Sequence, residues 1–65
     1  METLQQIKKR AKIYADIQQQ NYYIYKYIGT EDKEYNGTYV MGTKYTSNIY
    51  KNSSNYVFVE KINIK

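Results

Sequence analysis

Tyrosine dominates this chain: ten of its 65 residues are Tyr, whereas Leu, Ile, Val and Phe together supply only thirteen. Thirteen such side chains, 20% of the sequence, lie at the margin where burial of aliphatic surface stops offsetting the entropy of an ordered chain. Any fold built from this sequence has to use its phenol rings, each able to bury about 150–250 Å², as core or interface. The length allows one small domain. A domain so poor in aliphatics is marginal as a monomer, so a homo-oligomer or a partner complex is expected.

The missing residue types narrow the chemistry. The chain has no Cys, His, Pro or Trp. Disulfides, thiolate or imidazole metal ligation, Cys or Ser–His nucleophiles and most acid–base catalysis near neutral pH are thereby excluded. We expect a non-enzymatic protein with no cofactor and no metal. No apolar run reaches the length of a membrane span, and the acidic, Gln-rich start lacks the features of a secretory signal, so a cytoplasmic protein without membrane contact is expected. Ile, Lys, Asn and Tyr make up 33 of the 65 residues. Their codons are AT-rich, which suggests a low-GC bacterium, its phage or another mobile element as the source.

Thr3-Leu4-Gln5-Gln6 has the form of a capping box, with Thr3 as N-cap and Gln6 three residues on. Leu4, Ile7, Ala11, Tyr14 and Gln18 follow at spacings of three and four, and Ile13 and Ile17 widen that stripe. The spacing predicts a helix from about Leu4 to Gln20, closed by Asn21 in the left-handed position. From Tyr22 onward β-formers take over. Strands are expected at about 22–28, 35–45, 49–51 and 56–64. The interruption between the first two is either a loop from Gly29 to Gly37 or a strand bulge at Asn36-Gly37. Tyr56, Phe58, Glu60, Ile62 and Ile64 are expected to share one face of the last strand. The fold class is α+β: an N-terminal amphipathic helix packed on a three- to four-stranded antiparallel meander.

Two constellations stand out as binding candidates. Lys8, Lys9, Arg10 and Lys12 place four of the ten cations within five residues, despite the repulsion between Lys8 and Lys12 one helical turn apart. Such a cluster suits phosphates or an acidic protein surface. Arg10 lies nearest the apolar stripe and is expected to pair with a carboxylate or cover a ring there. The second is the run Tyr22–Tyr27, where Tyr23, Tyr25 and Tyr27 alternate with Ile24 and Lys26. With Ile24 and Ile28 turned to the helix, Tyr23, Tyr25 and Tyr27 are expected on the opposite, uncovered face, with Lys26 as an anomaly on the helix side. Glu31-Asp32-Lys33-Glu34 reads as a solvated acidic turn that gives the molecule oppositely charged ends.

Three functions fit these features. The first is a small inhibitor or adaptor of a host protein, encoded by a phage or mobile element and resembling anti-defence inhibitors of the anti-CRISPR kind in size and lack of catalytic residues. The second is a nucleic-acid-binding protein using the basic helix and the Tyr-rich sheet. The third is an oligomer sequestering an anionic nucleotide between subunits. All three imply a partner with an acidic or anionic surface.

Overall fold

The computed structural model describes residues 2–64. Helix α1 spans Leu4–Gln18 and begins at the expected capping box: the Gln6 N–H donates to Thr3 Oγ1 at 3.2 Å, and the Thr3 N–H donates to Gln6 Oε1 at 2.8 Å. It stops two residues earlier than the spacing predicts. Gln19, at φ 55°, takes the left-handed closing position and returns its N–H to the Ala15 carbonyl. Asn21 has another task, its side chain accepting the Ile64 N–H at 3.0 Å and so pinning the residues after β3 to the connection between α1 and β1.

Three antiparallel strands follow: β1 (Tyr22–Tyr27), β2 (Tyr39–Gly42) and β3 (Tyr56–Ile62), in spatial order β2-β1-β3. The α+β arrangement of one helix on an antiparallel sheet is what the periodicities predict. The second strand is much shorter than the expected 35–45. Its first part is spent on a loop that carries a 3-10 turn at Lys33–Tyr35. Gly37, at φ 90°, adopts a conformation that residues with a side chain avoid, and its N–H reaches the Tyr27 carbonyl at 2.8 Å. The Asn36 side chain closes the loop by donating to the Gly29 carbonyl. The loop alternative is the one realised.

The expected segment at 49–51 is helical: a single-turn helix α2, Asn48–Lys51, replaces the strand. A mutual hydrogen-bonded turn between Thr43 and Thr46 leads into it, and Ser47 is buried beside Gly42. Turn formation at 43–47 sends the chain across the sheet instead of along it, so Ile49 and Tyr50 have no neighbouring strand to pair with.

Ile7, Ala11 and Ala15 are fully buried and meet Tyr22, Ile24 and Ile62 on one face of the sheet, with Leu4, Tyr39, Met41, Val59 and Ile64 around them. Two alanines in the contact line let the helix lie close to the strands. That seating turns the wider part of the stripe outward: Ile13 is 52% and Ile17 72% exposed, so Ile17 does not meet Ile24 as the sequence suggests. Ile28 is likewise exposed, because β1 ends one residue before it.

A second departure lies in β3. Its pairing with β1 slips by one residue between Ile24 and Tyr25, so that Ile24 opposes Glu60 and Tyr25 opposes Phe58, with Val59 bulged between them. Each bulge reverses the alternation beyond it. Tyr56 and Phe58 therefore face away from α1, while Glu60 and Ile62 face it. The single face expected for Tyr56, Phe58, Glu60 and Ile62 is split in two.

Candidate interaction surfaces

The helix brings Lys8, Lys9 and Lys12 together but carries Arg10 round to another side, and most of the four are already engaged. Lys8 reaches Glu60 at 3.2 Å, Arg10 reaches Glu2 at 2.8 Å, and Lys12 reaches Asp16 at 3.3 Å. Lys12 also donates to the Asn63 carbonyl at 2.8 Å. Lys9 is the one cation of the cluster without an acidic partner among the described residues. Arg10 makes the carboxylate contact expected of it. With Gln5 and Ile62, the three lysines line a shallow groove where α1 leans over β3.

Tyr23, Tyr25 and Tyr27 occupy the other face of the sheet, as alternation requires, while Ile24 is sealed under the helix. Lys26 does lie on the helix side, and the anomaly resolves at the sheet margin. Its ammonium sits 5.9 Å from the ring centre of Tyr39, the residue opposite it on β2. The stem follows the sheet outward and the charge is held over an aromatic ring.

The expectation of an uncovered tyrosine row needs correction. Tyr25 is only 6% exposed. Its ring lies 5.9 Å from Tyr50 of α2 and 5.6 Å from Phe58 of β3. Tyr50 continues to Tyr56 at 4.7 Å, and Tyr56 to Tyr27 at 5.2 Å. The five rings form a connected aromatic layer, so α2 supplies the partial second layer that the sequence did not suggest. Exposure moves to its rim: Phe58 is 56% and Ile49 75% exposed.

Charge is sorted along this face. At the Tyr23 end, Lys44 and Lys51 line a hollow with Tyr23, Tyr25 and Phe58, and Lys61 lies 5.9 Å from the Tyr23 ring centre. At the Tyr27 end, Glu31 and Asp32 line a second hollow with Tyr35 and Tyr56. Burial raises the Tyr56 hydroxyl above the usual phenol pKa of 10.0, and the neighbouring Tyr50 and Tyr27 hydroxyls push in the same direction.

Sequence reasoning missed Tyr50, Tyr56, Phe58, Lys44, Lys51 and Lys61 as members of one surface. Tyr56 and Phe58 join it only through the slip at Val59, which the residue pattern does not announce. For Tyr50 there was no local signal.

The helical cluster and the aromatic layer lie on opposite faces of the sheet, so no single flat ligand touches both. No protein-family model matches the chain, and comparison with curated proteins and with solved structures gives no match. Among the described residues, no helix is long and apolar enough to cross a membrane, and no cluster of acidic side chains is arranged to hold a metal ion.

Proposed function

We propose that this chain is a small non-enzymatic binding protein that docks its aromatic face onto an acidic protein surface. Its composition suits an AT-rich phage or mobile element, where a chain this short acts in the host cytoplasm as an inhibitor or adaptor of a host protein. The observation that carries the reading is the exposed Phe58 packed against the buried Tyr25, flanked by Lys44, Lys51 and Lys61. Aromatic anchors held by packing at the centre of a patch, with charge at its margin, are the usual anatomy of a protein interface.

Ring geometry favours a protein over single-stranded nucleic acid. Bases stack on rings presented flat to solvent. Here neighbouring rings are inclined to one another by 38–72° and pack against each other, so they do not form a row of parallel flat faces. Nucleic acid would also have to pass round the sheet to reach the cations of α1.

The test is affinity capture from a low-GC bacterial lysate with three baits: the wild type, Phe58→Asp, and Lys9→Glu on the far side. A protein retained by wild type and Lys9→Glu but lost by Phe58→Asp supports the proposal. Capture of a nuclease-sensitive species, or equal capture by all three baits, overturns it.

A further inference from the structure

The chain crosses its own sheet on the way from β2 to β3. Gly42, the last residue of β2, lies opposite Tyr23, whereas Tyr56, the first of β3, lies opposite Tyr27. Because β1 stands between those strands, residues 43–55 pass diagonally over it on the face where Tyr50 meets Tyr25. Beside that crossing, toward Tyr23, is a hollow of about 410 Å³, within the size range of small-molecule sites. The sheet lines it with Tyr23, Tyr25 and Phe58, and the crossing segment with Lys44, Ser47, Asn48 and Lys51.

Two of these side chains carry hydroxyls that the fold leaves largely unused. Tyr25 is 6% and Ser47 4% exposed. Among the described residues Tyr22 is the only tyrosine whose hydroxyl is hydrogen-bonded, and the Tyr25 hydroxyl is not one of the polar atoms closed off from water. Ser47 Oγ reaches only the Lys44 carbonyl, at 3.5 Å, well beyond the usual ~2.8 Å of such a bond. Nearly buried donors without a good acceptor gain most from a ligand that brings one. Lys44 and Lys51 are exposed and form no ion pair among the described residues, nor does Lys61 beside the Tyr23 ring.

We propose that this hollow binds a phosphate monoester carried on an aromatic group. The site rests on the hollow and not on the identity of any captured protein. A phosphate monoester brings a charge of about −1.5 to −2 near neutral pH and three acceptor oxygens. Lys44 and Lys51 match that charge, and Tyr25, Ser47 and Asn48 add uncharged donors. A carboxylate, with one charge and two oxygens, leaves cations and donors unmatched. Inorganic phosphate leaves the rings of Tyr23 and Phe58 without a partner, whereas an aromatic group packs against them.

Charge directs such an anion to this hollow and not to the others. The hollow at the Tyr27 end is lined by Glu31 and Asp32, which repel it. In the groove beside α1, Lys8 and Lys12 already hold Glu60 and Asp16. Two sources present the same chemistry, a free nucleotide and a phosphorylated aromatic side chain of a protein.

Titration of the full chain at constant ionic strength, followed through its tyrosine ring resonances by nuclear magnetic resonance, tests this with four probes: phenyl phosphate, adenosine monophosphate, benzoate and inorganic phosphate. Phenyl phosphate is expected to bind at least about tenfold more tightly than benzoate or inorganic phosphate. Adenosine monophosphate binding more tightly still identifies a nucleotide as the source, and binding no more tightly identifies the phosphorylated side chain. Tyr25→Phe keeps the ring and should melt no lower than the wild type, yet weaken phenyl phosphate by about tenfold or more. Lys44→Gln/Lys51→Gln changes only exposed positions and should weaken it by about tenfold or more, independently of how Tyr25→Phe folds. Benzoate or inorganic phosphate binding as well as phenyl phosphate overturns the proposal. So does the absence of saturable binding, or affinity untouched by the lysine changes.

Discussion

Tyr25 and Phe58 face each other across β1 and β3 with their rings edge to face, 5.6 Å between centroids and 72° between planes. The contact exists because of the slip at Val59. Without it, Tyr25 would oppose Val59, and Phe58 would stand on the helix side of the sheet. One bulged residue thus decides that the aromatic side chains of three elements collect on one face, and that Glu60 is left on the other to meet Lys8.

The first prediction separates support from contact within that layer. Tyr25 is buried and Phe58 is half exposed. Tyr25→Ala should cost about 3 kcal/mol or more, as truncation of a buried aromatic ring does. For a domain of this size that lowers the melting temperature by roughly 12 °C or more. Phe58→Ala should cost about 1 kcal/mol, because much of its ring is already in water. Thermal melts followed by circular dichroism check both, and equal losses would show that the two rings are equally buried.

Gly42→Ala is expected to loosen the cover over the aromatic layer. A Cβ at this position would lie 2.7 Å from Thr46 Oγ1 and 3.1 Å from the Ser47 nitrogen, inside the turn that starts α2. Relieving the overlap requires the Thr43–Thr46 hydrogen bonds to open. We expect a loss of about 1–3 kcal/mol in urea unfolding, with increased exchange at 47–52.

The short helix α2 also marks the limit of what could be read from residues alone. The capping box, the helical spacing and the Tyr22–Tyr27 alternation are local patterns, and they place α1, β1 and the helix side of the sheet correctly. Ser47-Asn48-Ile49-Tyr50-Lys51 has no helical periodicity. Its single turn forms because Gly42 admits the Thr46-Ser47 backbone and Tyr50 finds Tyr25 and Tyr56, both of which are tertiary events. The bulge at Val59 is equally silent in sequence, since Tyr-Val-Phe-Val-Glu reads as simple alternation. Lys8 to Lys12 was legible as a cluster, but its pairing with Glu60 and Asn63 depends on residues some fifty positions away.

Alkaline titration should single out Tyr56. Its folded-state pKa lies above 10.0 through burial first and the neighbouring Tyr50 and Tyr27 second. The folded state therefore holds this proton more tightly than the unfolded state does. The associated stability is fully present below the ordinary phenol pKa and is lost as pH rises through the folded value. Phenolate absorbance should show a late-ionising component in the wild type that is lost in Tyr56→Phe. The variant's stability should fall less steeply than the wild type's above the ordinary phenol pKa.

The most direct test of the account is a hydrogen-exchange footprint of the full chain, free and bound to a protein captured by it. Partner-induced protection is predicted in α2 and in β3 around Tyr56–Phe58, with the Lys8–Lys12 stretch of α1 unchanged. Protection confined to α1, with no change at α2 or β3, would contradict the assignment of the aromatic face as the binding surface.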